Sequence, residues 1–227
     1  MYLILLFLLI FLLLFGPQYW AKYTFKKHAM PLERLQGTGG ELARHLLDRF
    51  GMENVGVEKT KPGSDHYDPE SKMVRLSPDN YDQKSLTAVA VAAHEVGHAI
   101  QHYNKDSKFA LRTRLVIAAQ LAQKLGAGVM LIIPIVMLIT RAPSSGLIMI
   151  VIGLLSMGSA TLVHLVTLPV ELDASYGKAL PILKEGYISK EDETAISSVL
   201  KAAAWTYVAA SLVSLLNIGR WIVLLRR

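Results

Sequence analysis

The stretch that most constrains this chain is the run Ala88 to Gln101, with His94-Glu95-Val96-Gly97-His98 at its centre. Its small residues (Ala88, Ala90, Ala92, Ala93, Gly97 and Ala99) let a helix be packed closely on several sides. Residues four apart share a helical face, so His94 and His98 offer two imidazole nitrogens to one point in space. Glu95, one position on from the first histidine, stands close to that point but is angled to hold a water instead of ligating. A core helix that carried these three by chance would bury an unpaired glutamate at high cost. The spacing is that of zinc-dependent hydrolases, in which two histidines hold the metal and the intervening glutamate is the general base. The helix is predicted from about Ser85 to about His102.

Composition narrows the setting. A chain of 227 residues that is 52% hydrophobic is too apolar for an ordinary soluble domain and short for two domains. The absence of cysteine excludes a disulfide scaffold and any thiolate zinc site, which leaves histidine and carboxylate as ligands. The net charge of +6 comes with no interleaving of basic and aromatic residues and no nucleic-acid motif, so no nucleic-acid partner is expected. Membrane topology accounts for the charge better.

The expected fold class is mainly α: a polytopic membrane protein with four transmembrane helices and a small zincin-like α+β catalytic domain. Met1 to Phe15 is an unbroken apolar run followed by Gly16-Pro17 and the interfacial pair Tyr19-Trp20. No basic residue precedes it and no small-x-small cleavage site follows, so residues 1–20 read as a retained anchor. Residues 21–111 form the catalytic domain. Within it, Glu41 to Phe50 has helical spacing and is stopped by Gly51. Val55 to Val57 and Lys72 to Ser77 read as strands, and Asp65-His66-Tyr67-Asp68-Pro69 as a polar turn. Residues 112–140, 146–168 and 202–225 make the second, third and fourth spans, with a tight polar turn at Arg141 to Ser145. Residues 169–201 form the segment and helix that carry the third ligand. Lysines and arginines gather in 21–111 and 169–201, which makes that side cytoplasmic and places the active site at the inner face of the membrane.

A catalytic zinc needs three protein ligands and one open position. His102 lies about 12 Å along the helix axis from His94, too far to share one ion. A metzincin would need Gly at 101 and His at 104, where this chain has Gln101 and Asn104. Glu171 is the best candidate, emerging from the third span on the same side as the histidine pair. Glu171 and Ala174 fit the Glu-x-x-Ala segment of gluzincins. Asp173 is its competitor, two residues away and facing elsewhere on a helix.

The segments His94-Glu-Val-Gly-His98, Asp65-His-Tyr-Asp-Pro69, Leu168-Pro-Val-Glu-Leu-Asp-Ala-Ser175 and Ala204-Trp-Thr-Tyr-Val-Ala-Ala210 together resemble the YugP family of bacterial membrane zinc metallopeptidases. The likeness covers most of the chain. More distantly the chain resembles the HtpX membrane proteases. The resemblance implies one zinc ion per chain on His94, His98 and Glu171, with Glu95 as base. HtpX-like enzymes carry an aspartate four residues after the ligand glutamate, which orients a zinc-bound histidine. This chain has Ser175 there, so the group that orients the histidine is expected elsewhere.

In the expected mechanism Glu95 takes a proton from the attacking water and returns it to the leaving amine. His66 and Tyr207 are the candidate contacts to the transition state or substrate. His164, two turns before Glu171, either faces the site or pairs with another helix. The Met73 to Leu76 strand offers an edge to an extended peptide. The expected partners are the lipid bilayer and a protein or peptide substrate, drawn from membrane proteins and their exposed loops. A site-2-type intramembrane protease is disfavoured, since only about eight apolar residues precede His94 against the ~20 needed to cross. The contrasting reading is a non-catalytic membrane scaffold or transporter-like protein with a structural metal. Three credible ligands, where a structural zinc takes four, argue against it.

Overall fold

Around the predicted metal helix the chain builds everything else. The computed structural model describes residues 2–140, 151, 159 and 162–225. Helix α1 is Tyr2–Lys27 and α2 is Gly39–Arg49. Strands β1 (Gly56–Lys59), β2 (His66–Asp68) and β3 (Met73–Leu76) follow, then a short α3, Pro78–Asp82. The metal helix is α4, Leu86–Tyr103, and the long α5 is Ser107–Thr140. Helical residues 162–172, here α6, run directly into a π-helix at Asp173–Ala179, continued by α7 (Leu180–Lys184) and α8 (Glu193–Leu225).

Helix α4 begins where the Ser85 hydroxyl accepts the backbone N–H of Ala88 at 3.1 Å, satisfying one of the orphan donors of its first turn. Its alanines are buried, and α2, α8, the sheet and the π-helix all pack on it. Leu46 and Leu47 of α2, Val74 and Leu76 of β3, Leu183 of α7, and Ile196 and Leu200 of α8 close the core around it. Gly97 decides the nearest approach. A Cβ there would stand 2.8 Å from the backbone oxygen of Ala174, so only glycine lets the π-helix lie against the metal face. Helix α1 packs along α8 and is pinned to the start of α4, where Thr87 Oγ1 donates to the Phe25 carbonyl at 2.8 Å.

Helix α2 starts two residues earlier than its apolar spacing indicates. Thr38 caps it in a reciprocal capping box with Glu41, and Gly51, at φ 68°, stands just past its end.

The sheet has order β1-β3-β2, with β1 parallel and β2 antiparallel to the central β3. Register pairs Val57 with Val74, and Tyr67 with Val74 from the other side. Arg75 ties the three strands together through Glu58 and Asp68. Two expectations change here. Asp65 to Pro69 is not only a turn, because His66–Asp68 pairs with β3 and buries Tyr67 between strand and helix. Nor does Met73–Leu76 offer a free edge, because both of its sides are already paired.

The larger correction concerns the four transmembrane helices. Among the described residues no helix is long and apolar enough to cross a membrane, so the four-span polytopic fold class is withdrawn. The apolar stretches are not separate elements but parts of longer helices with charged ends. Helix α1 continues through Lys22, Lys26 and Lys27; α5 starts with Lys108, Arg112 and Arg114; α8 starts at Glu193 and carries Lys201. The expected turn at Arg141 to Ser145 and much of the expected span 146–168 lie outside the described residues. What stands is a mainly helical chain with a small mixed sheet.

Candidate metal site

Three buried side chains converge on one point: His94 and His98 from consecutive turns of α4, and Glu171 from the end of α6. Their ligand atoms all lie within 4.8 Å of one another. Both histidine Nε2 atoms stand 3.2 Å from the same carboxylate oxygen, Oε2 of Glu171. Asp173, the competing ligand, is not in this group.

The outer nitrogens explain how the rings are held. Nδ1 of His98 lies 2.9 Å from Oε1 of Gln101, three residues on along the same helical face. The amide nitrogen of Gln101 donates to the Val170 carbonyl at 2.9 Å and to Asp173 Oδ2 at 2.8 Å. With both amide protons committed, only the oxygen remains for His98, so His98 Nδ1 must be the donor. Nδ1 of His94 lies 3.0 Å from the hydroxyl of Ser175, which fixes the orientation of that ring. Ser175 therefore occupies the orienting position that was expected to be filled from elsewhere. A hydroxyl reaches the ring because the π-helix begins just after Glu171-Leu172 and lies tightly on Gly97. Single π turns inside helices are frequent at functional sites.

The charges follow from burial and proximity. Burial alone would raise the Glu171 carboxyl, but the charge of His98 and hydrogen bonds from both histidines outweigh it and hold the group well below its ordinary value. Arg112, from α5, adds its guanidinium 3.6 Å from Oε1 of Glu171. Glu95 is pushed the other way. Burial raises it to about 7, with His94 opposing, Glu171 and Asp65 adding to the rise, and a hydrogen bond from the Tyr67 backbone opposing it.

A cavity of about 290 Å³ opens onto His94 and Glu95 and is walled by Phe25, Asp65, Thr206 and Tyr207. Tyr207 hydrogen-bonds to Glu171, and burial, then the charges of Glu171 and Glu95, hold its phenol far above the ordinary value. His66 lies outside the lining of that cavity, exposed on β2, with Nδ1 2.7 Å from the Ser64 carbonyl. His102 is tied to the Tyr67 hydroxyl at 2.8 Å and stacked on Phe109. His164 is half-buried on α6 and is not among the converging ligands. Sequence reasoning passed over Gln101 and Arg112. Gln101 was findable from its i+3 offset to His98, whereas Arg112 reaches the site from another helix and leaves no local trace.

Comparison with known proteins agrees with this geometry. The pattern of a family described as "Putative neutral zinc metallopeptidase" matches residues 2–226. The chain is 35% identical over 218 residues to "Putative membrane protease YugP" of Bacillus subtilis (strain 168), covering 92% of each chain. No solved structure matches.

Proposed function

The chain belongs to this neutral zinc metallopeptidase family, and we propose that it is a zinc endopeptidase of the gluzincin type, with zinc on His94, His98 and Glu171 and with Glu95 as general base. One observation carries the reading. Gln101 and Ser175 take up the Nδ1 side of the two histidines, so both Nε2 atoms are turned to the same carboxylate oxygen of Glu171 in one buried cluster. Two imidazole nitrogens and a carboxylate gathered at one buried point offer a cation three ligand atoms. Two imidazoles and one carboxylate are the donor set of catalytic zinc, and one ion per chain fits.

When bound, zinc supplies an acidified water and a Lewis acid for the peptide carbonyl. Glu95 accepts the proton of the attacking water and passes it to the departing amine. A carboxyl raised to about 7 is matched to that exchange at neutral pH. Tyr207, protonated and on the cavity wall, donates to the developing oxyanion by turning its hydroxyl from Glu171. Among the described residues no strand pairs with the outer side of β2, and the bond from the Tyr67 backbone to Glu95 puts that edge beside the proposed base, which supports binding of an extended peptide there. His66, exposed on that same strand, is left to contact the peptide beyond the reacting bond.

We also propose that the enzyme works at a membrane, on membrane or membrane-proximal proteins. Exposed aliphatic and aromatic side chains on α1 (Leu5, Phe11, Leu12, Phe15) and α5 (Ile117, Leu121, Leu125) support this, as does the relative's name.

The test is cleavage of an unfolded reporter protein by detergent-purified, zinc-loaded protein, beside Glu95→Gln. The variant should keep its zinc and lose cleavage by about a thousandfold. Equal cleavage by both would remove Glu95 as base. Zinc bound with cleavage by neither would favour a scaffold with a structural metal.

A further inference from the structure

A second, larger cavity of about 600 Å³ shares no lining residue with the one at His94 and Glu95. Tyr67, His102 and Phe109 form its aromatic wall, and Lys72, Lys105 and Arg114 bring three cations to it. Asp106 is the only acid among its described lining residues. That carboxylate is already engaged, its Oδ1 accepting the backbone N–H groups of Lys108 and Phe109 at the start of α5.

The two lysines are held in an unusual way. Lys72 (φ 51°) and Lys105 (φ 54°) are the only non-glycine residues with positive φ among the described residues. Lys105 follows the C-cap of α4, and its N–H bonds to the His102 carbonyl while that of Asp106 bonds to Gln101. This is the helix-ending motif whose left-handed position is ordinarily glycine. Lys72 sits in the turn between β2 and β3, where a left-handed residue is again ordinarily glycine or asparagine. The chain accepts the steric cost of a side chain in this conformation twice. Each time the side chain is a cation, and both cations border one cavity.

A third feature points outward. From Arg114 the face of α5 continues through Ile117, Leu121 and Leu125, spaced by three and four residues, and all three are exposed. Cations at the head of an outward apolar stripe match an amphiphile with an anionic head. Free phosphate would use the cations and leave the stripe unused. We propose that this cavity binds the phosphate of an anionic phospholipid, with its acyl chains laid along Ile117, Leu121 and Leu125. The site is separate from the metal cavity and does not rest on the zinc reading.

The experiment titrates the full chain, in neutral detergent, with phosphatidylglycerol, beside phosphatidylcholine and with glycerol phosphate as competitor. Phosphatidylglycerol should bind, phosphatidylcholine should bind far more weakly, and glycerol phosphate should not displace the lipid. Lys72→Gly and Lys105→Gly remove the cation while granting the backbone its preferred residue, so melting temperature should not fall. Each should weaken binding about fivefold, and the pair more. Arg114→Gln, away from both left-handed turns, should show a similar loss. Glu95→Gln should leave lipid binding unchanged. Equal binding of the two lipids, or full affinity in the double glycine variant and in Arg114→Gln, would overturn the proposal. Displacement by glycerol phosphate would overturn it in favour of a soluble phosphate ligand.

Discussion

Helices α4 and α5 follow one another in the chain, and both are rich in apolar residues, yet their surroundings are opposite. Along α4 the apolar positions are mostly alanine, valine and glycine, and nearly every residue from Leu86 to Gln101 is buried by protein. Along α5 they are large, and Leu111, Ile117, Leu121, Leu125 and Leu138 face outward. Small side chains let a strand, two helices and a π turn approach on all sides, which makes a dry pocket where three polar groups can be held. Large side chains keep neighbours away and leave an apolar surface that something other than this chain must cover. Side-chain size, more than hydrophobicity, separates the helix that builds a site from the helix that meets its surroundings.

The sharpest way to break this contrast is to add one methyl to α4. Gly97→Ala sets a Cβ 2.8 Å from a backbone oxygen of the π-helix, which has no flexible end to move. It should destabilise the fold by about 1–3 kcal/mol and weaken metal binding by drawing Glu171 and Ser175 off the histidines. Removing three carbons from α5 with Leu121→Ala should change stability by no more than about 0.5 kcal/mol. Paired melting curves and metal titrations decide it, and equal effects would erase the distinction.

A smaller change sharpens the account of the dry pocket. Ser175→Ala and Gln101→Leu should each lower metal affinity about 10–100-fold, measured by competition with a chelator, because each frees one imidazole to adopt the wrong tautomer. Gln101→Leu should cost more, since it also strands the Val170 carbonyl and the Asp173 carboxylate. Wild-type affinity in both would mean that the rings are held by packing alone.

The smallest effect is one of pH. In the metal-free protein the Glu95 carboxyl is raised by burial to about 7 from the ordinary 4.5. The folded chain therefore holds a proton that the unfolded chain releases between those values. Its contribution to stability is complete below about pH 4.5 and is lost as pH rises through about 7. Melting temperature of the metal-free wild type, relative to Glu95→Gln, should fall across that window. A flat difference would mean that Glu95 is solvated.

Much of the candidate site could be read along the chain because its strongest signals are local. His94 and His98 share a face through a four-residue offset, Gln101 extends that face by three more, and Glu171 stood out beside an Ala174 partner. The strand at His66–Asp68 was hidden because Asp65, Asp68 and Pro69 carry turn chemistry, and its pairing with β3 depends on residues five to nine positions away. The apolar runs were read as independent spans because hydropathy scores a stretch without regard to where its helix begins. Here the helices extend into charged segments that pack on α4.

By itself, then, the sequence determined the helix that must be buried, the two imidazoles on its face, and the exclusion of thiolate ligands, all through local spacing and composition. Only the tertiary structure decided that Ser175 and Gln101 hold the rings, that Arg112 reaches Glu171, and that Lys72 and Lys105 border one cavity. The reason is physical. A helical offset is fixed by 3.6 residues per turn wherever the helix sits, whereas contacts between segments distant in the chain depend on how closely backbones approach, and between α4 and the π-helix a single missing Cβ at Gly97 sets that distance.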